Sequence, residues 1–178
     1  MKNRFTLSEL ITISVLCAIG LAIKPIINPL VHVISGILRI PGGSLSGGFV
    51  MMWMALARVI INKRGVALVF GIAQGLAVML LGFFGSHGVF SIVSYSMPGL
   101  MMEIFAFFFR GRSLPVLCLY TIVANITGTA IVAIVVMQVP FLLLMITIIS
   151  ATISGLLGGF LADLVLQKLE KYKIISIR

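Results

Sequence analysis

Six long apolar runs, each closed by turn-forming residues, constrain this chain more than any other feature of it. They cover about 7–23, 46–61, 66–83, 92–109, 114–137 and 141–166. A helix needs about 20 mostly apolar residues to cross the hydrocarbon of a bilayer. The breaks between the runs read KPIINP (24–29), IPGG (40–43), NKRG (62–65), GSHG (85–88), RGRSLP (110–115) and QVP (138–140); these are the residues that stop or turn a helix. Charged residues make up only 10% of the chain, against roughly 25% in a soluble globular protein. The expectation is an all-α integral membrane protein, a single six-helix domain over 1–178 that crosses the cell membrane several times. The segment 26–39 is apolar but short, and reads as a loop or re-entrant turn. The first run, behind Lys2 and Arg4, is interrupted by Ser8 and Glu9 and has no clean cleavage site, so it is expected to stay as a helix.

Basic residues orient the helices. With six spans, the residues at both termini and in the second and fourth connections fall on one side. That set is Lys2, Arg4, Arg58, Lys63, Arg64, Arg110, Arg112, Lys168, Lys171, Lys173 and Arg178, leaving only Lys24 and Arg39 opposite. Both termini are therefore expected in the cytoplasm. The net charge of +9 is a topology signal facing the bilayer and calls for no nucleic-acid partner. The outward connection 24–45 is the longest, a place for a lid or a binding-site wall, or equally for a loop tucked against the bundle.

Helices approach closely in lipid where small residues recur. Such stripes occur at Ser14, Ala18 and Ala22; at Ala67, Gly71 and Gly75; at Ala124 and Gly128; and at Thr147, Ala151, Gly155 and Gly159. Internal packing accounts for most of them. Polar groups at membrane depth face the interior or a cavity by default. Gln74, Asn125 and Glu103 are of this kind, with Trp53 and Tyr95 as amphipathic neighbours and His87 in the GSHG turn. Glu103 is the most demanding. It stands seven residues before Arg110, and so about 10 Å along the helix from that end. It needs a proton, a cationic partner or a bound cation, and the functional reading is a positively charged or amine-bearing ligand.

An enzyme is a remote alternative. GGSLSGG (42–48) offers Ser44 or Ser46 as nucleophile with His87 as base, an intramembrane hydrolase arrangement, but the glycine spacing does not fit one and no acidic pair is present. No catalytic residue is assigned. Cys17 and Cys118 read as free core thiols, and no Cys/His cluster has metal-ligand spacing. No cofactor is called for, and no nucleotide-binding G-x-x-x-x-G-K-[ST] occurs.

The six runs, the alanine pair in Ala18-Ile-Gly-Leu-Ala22, and the basic turn NKRGVAL (62–68) before a glycine-bearing helix resemble the S component of an energy-coupling factor (ECF) transporter. Within that family the stretch from about 41 to 115 is most like the thiamine and hydroxymethylpyrimidine group. There too a glutamate precedes a basic turn and an S-L-P-V-L segment, here Ser113-Leu-Pro-Val-Leu117. The resemblance implies capture of a vitamin or vitamin precursor from outside, with another micronutrient such as a corrinoid as the alternative. It also implies docking on a membrane coupling (T) protein that carries two ATPase (A) subunits. Ser14, Ala18 and Ala22 would form the docking face. Glu103, His87, Tyr95, Trp53, Asn125 and Gln74 would be the substrate contacts. Glu103 sits nearer the cytoplasmic end than such a pocket requires, and a structural role is open to it.

Overall fold

A computed structural model describes residues 5–38, 40–82 and 88–172. All regular structure in them is helical. The helices are α1 (Leu7–Leu38), α2 (Gly43–Ile61), α3 (Val66–Leu81), α4 (Phe90–Phe108), α5 (Leu114–Ile131), which closes in a π-helical turn (Val132–Val136), and α6 (Phe141–Lys171). Among the described residues five of these are long and apolar enough to cross a membrane. The sixth, α3, has 16 residues and is about 24 Å long, short of the ~30 Å hydrocarbon thickness.

One expectation is corrected. The segment expected as a loop at 26–39 is helical through its described residues, 26–38: α1 runs on through Pro25 and Pro29 to Leu38, 32 residues in all. Each proline removes one backbone hydrogen bond, but a loop in apolar surroundings would leave many more groups unsatisfied. Helix is therefore the less costly state. The connection to α2 shrinks to a few residues around Ile40, Pro41 and Gly42. At its start α1 carries a reciprocal cap: Thr6 N–H donates to Glu9 Oε2 at 2.8 Å, and Glu9 N–H donates to Thr6 Oγ1 at 3.4 Å. Lys63 Nζ lies 2.8 Å from Glu9 Oε1 and ties this first turn to the α2–α3 connection.

The central helix is α2, which touches α1, α3, α5 and α6. Its Met54, Ala55, Leu56 and Ala57 are fully buried beside Phe70, Met102 and Leu117. Outward faces are apolar as well: Leu30, Leu80, Phe108, Phe141 and Leu142 are all exposed. That surface suits lipid and would be untenable in water.

Small residues set the packing. A Cβ on Gly48 (α2) would collide with the Ser154 carbonyl (α6), and one on Gly158 (α6) with the Gly48 carbonyl. Gly71 and Gly75 seat against α4, and Gly155 and Gly159 against α5. The stripes of α3 and α6 are thus internal seams. Polar groups bind the same seams: Ser154 Oγ donates to Leu45 O at 2.6 Å and accepts Gly48 N–H at 3.0 Å, and Thr121 Oγ1 donates to Gly155 O at 2.7 Å. Such bonds contribute about 0.6 kcal/mol each.

Candidate functional site

At one end of the bundle the second half of α1, the first turns of α2, the start of α4 and the last turns of α5 draw apart around a cavity of about 480 Å³. That volume suits a drug-sized molecule. The walls are mostly apolar, with Val31, Val50, Met51, Val132 and Met137 among them. The polar groups that converge on it are Lys24, Asn28, Ser46, Tyr95, Asn125 and Thr129. Lys24 is only 5% exposed. Its Nζ donates to the Tyr95 hydroxyl at 2.7 Å and lies 4.2 Å from the centre of the Tyr95 ring. α1 delivers this amine because Ile13, Cys17, Gly20, Leu21 and Lys24 share its inward face and are all buried.

Tyr95 and Asn125, two of the residues singled out from the sequence, stand on the cavity wall. Asn125 is also a clamp: its Nδ2 donates to Ser44 O at 3.3 Å and to Ala151 O at 2.9 Å, joining α2, α5 and α6. Two others lie elsewhere. Trp53 packs on Gly20 with its ring Cδ1 3.1 Å from where a Cβ would sit. Gln74 is fully buried in α3, and neither of its amide atoms has a hydrogen-bond partner among the described residues. His87 lies outside the described residues.

Glu103 is the largest departure. It is not on the cavity wall. Its Oε1 accepts the Ala67 N–H at 2.8 Å, and Arg58 Nε approaches the same oxygen at 3.2 Å, an ion pair angled away from a hydrogen bond. The N-cap of α3 is Gly65, which has no side chain to cap with. A carboxylate from α4 therefore satisfies a first-turn donor and faces the positive end of the α3 dipole. Arg58 leads into a second, basic cavity of about 520 Å³ that also includes Lys63, Arg64, Arg110 and Arg112. The basic turns thus gather at the α2 C-terminus, while the first cavity lies at the α2 N-terminus.

Ser14, Ala18 and Ala22 are exposed on the outer face of α1, opposite its packed face. Ser44 Oγ donates to Pro41 O at 2.8 Å and Ser46 Oγ to Gly42 O at 3.2 Å, so both hydroxyls serve the first turn of α2. Sequence reasoning missed Lys24, which was counted as a loop charge. A lone cation inside an apolar run carried the same signal that drew notice to Glu103.

These features define an integral membrane protein of helices built around a solute-sized cavity. The chain belongs to the family described as the ABC-type cobalt transport system, permease component, whose profile matches residues 8–127. Its structure is similar to the crystal structure of an S-component of an ECF transporter, with a TM-score of 0.78 and 25% identity over 96% of this chain and 88% of that one. No curated protein matches the sequence. The fold is that of an ECF S component, and the family is one of membrane transport.

Proposed function

We propose that the chain is the substrate-capturing subunit of an ECF-type importer, and that the cavity beside Lys24, Tyr95 and Asn125 is where a small organic micronutrient is held. The observation that carries this reading is the cavity itself: solute-sized, apolar-walled, with a few convergent polar groups, in the fold of an S component. The basic α2 C-terminal end faces the cytoplasm together with both termini, α3 completes six spans, and the cavity opens outward. Ser14, Ala18 and Ala22 form a small-residue face that no other helix covers among the described residues, which suits docking on a membrane coupling protein; two ATPase subunits on that protein supply the energy.

The cavity bears on the substrate. The walls present an amine and hydroxyls, which suit a molecule with acceptor groups and an aromatic or apolar body. The pyrimidine half of thiamine meets that description; the fixed positive charge of the thiazolium ring would face Lys24. A corrinoid exceeds a drug-sized site, and a bare metal cation would be repelled by the amine. Glu103, committed to Arg58 and Ala67, serves the helix junction and not the solute.

Co-expression with the coupling protein and its ATPases tests the reading. It requires a stable complex and ATP-driven uptake of the captured solute into proteoliposomes. A chain that moves solute alone, or never joins such a complex, contradicts it.

A further inference from the structure

Capture of an arbitrary small molecule does not account for Lys24. An ammonium buried among apolar walls within a membrane is costly unless something there compensates it. Among the described residues lining the cavity, none is a carboxylate. Among the described residues the Tyr95 hydroxyl and ring face meet Lys24, and the Cys17 thiol lies along the same face of α1. An ammonium has three donors, and Tyr95 takes one of them. In accepting that bond, Tyr95 keeps its own O–H proton to donate elsewhere.

The floor of the cavity carries the same sign. Gly42, Gly43, Ser46 and Gly47 line it, and they are the cap and first turns of α2, the positive end of its dipole. On the facing wall the last turns of α5, Gly128, Thr129 and Val132, present the opposite, negative end of their own dipole, so the side chain of Lys24 decides the sign of the space. Amine, hydroxyl and helix N-terminus thus converge on one space from three elements, α1, α4 and α2.

We propose that the captured solute carries an anionic oxyacid group, a carboxylate or a phosphate. Lys24 is its counter-ion and the Tyr95 hydroxyl its second donor. The proposal rests on the reading of the cavity as the capture site and narrows it to anionic solutes. With the anion seated, the buried ammonium gains the charge partner that the fold leaves out, and the rest of the solute fills the apolar part toward Val50 and Met51.

The test uses the full chain purified in detergent and titrated calorimetrically with matched pairs. Nicotinate with nicotinamide, and pantothenate with panthenol, differ in a carboxylate. Pyridoxine 5′-phosphate with pyridoxine, and thiamine monophosphate with thiamine, differ in a phosphate. The expected result is at least one pair whose anionic member binds tenfold or more tightly than its counterpart; which pair responds separates carboxylate from phosphate. Lys24→Met removes that preference and Lys24→Arg retains part of it, while helicity and detergent gel filtration show that both variants are folded. A preference that survives Lys24→Met overturns the proposal. Binding confined to the uncharged or cationic members overturns it too but leaves the capture reading standing. No binding by any member at millimolar concentration overturns both.

Discussion

Exchanging Glu103 for glutamine separates a structural carboxylate from a substrate contact. The Arg58 and Glu103 side chains are 7% and 13% exposed and approach to 3.2 Å. At that distance the gross attraction is about 5 kcal/mol for an effective dielectric of 20, much of it offset by the dehydration of both ions. The offset is already incurred in the fold, so removing one partner strands the other. Breaking a buried pair in this way costs about 3–5 kcal/mol. Glutamine keeps an oxygen for the Ala67 N–H, which places Glu103→Gln near the lower end, about 3 kcal/mol. For a chain of this length that is a fall of roughly 10 °C in Tm. Thermal unfolding in detergent, followed through the single tryptophan, reads it directly. Solute affinity stays within about twofold of the parent protein. Pairing Glu103→Gln with Arg58→Met recovers much of the loss, because it removes the buried charge that the single substitution strands. A variant of unchanged Tm and weakened solute affinity would refute this reasoning and return Glu103 to the binding site.

Two further substitutions test the seam and the docking face. Gly48→Ala drives a methyl group into the Ser154 carbonyl and lowers stability by about 3 kcal/mol; Gly36→Ala, with nothing within 4 Å, leaves the melting curve in place. Equal melting temperatures for the two would mean that α2 and α6 are not in contact there. Ala18→Trp, on the exposed face of α1, leaves folding and solute binding intact but abolishes assembly with the coupling protein and ATP-driven uptake. Loss of solute binding as well would show that this face is packed inside the protein.

The helical, membrane-embedded character of the chain was legible because run length and charge scarcity act through one constraint, the satisfaction of backbone groups in hydrocarbon. What misled was punctuation. Pro25 and Pro29 carry the signals of a loop in water, but in apolar surroundings the helix tolerates them, and α1 gains fifteen residues beyond the expected end at 23. That extension carries Lys24 from a supposed loop into the cavity wall.

The candidate site was legible in part for a related reason. Tyr95 and Asn125 were chosen for being polar within spans, and the cavity holds both. Glu103 satisfied the same criterion, yet its partners are Arg58 and the Ala67 amide. Intramembrane polarity says that a partner exists and is silent on whether that partner is protein or ligand. Only the packing of α4 against α3, set by Gly71, Gly75 and Gly99, decides it. Trp53 and Gln74 were off the cavity for a like reason: the rotation of α2 and α3 about their axes is a tertiary property.

Native mass spectrometry of the detergent-purified chain tests the central claim most directly. The account predicts a single co-purifying small molecule of drug size on the parent protein, absent from Asn28→Trp, whose indole fills the cavity from α1. A parent protein that carries the same molecule as Asn28→Trp, or that carries none and takes up none from a vitamin panel, would contradict it.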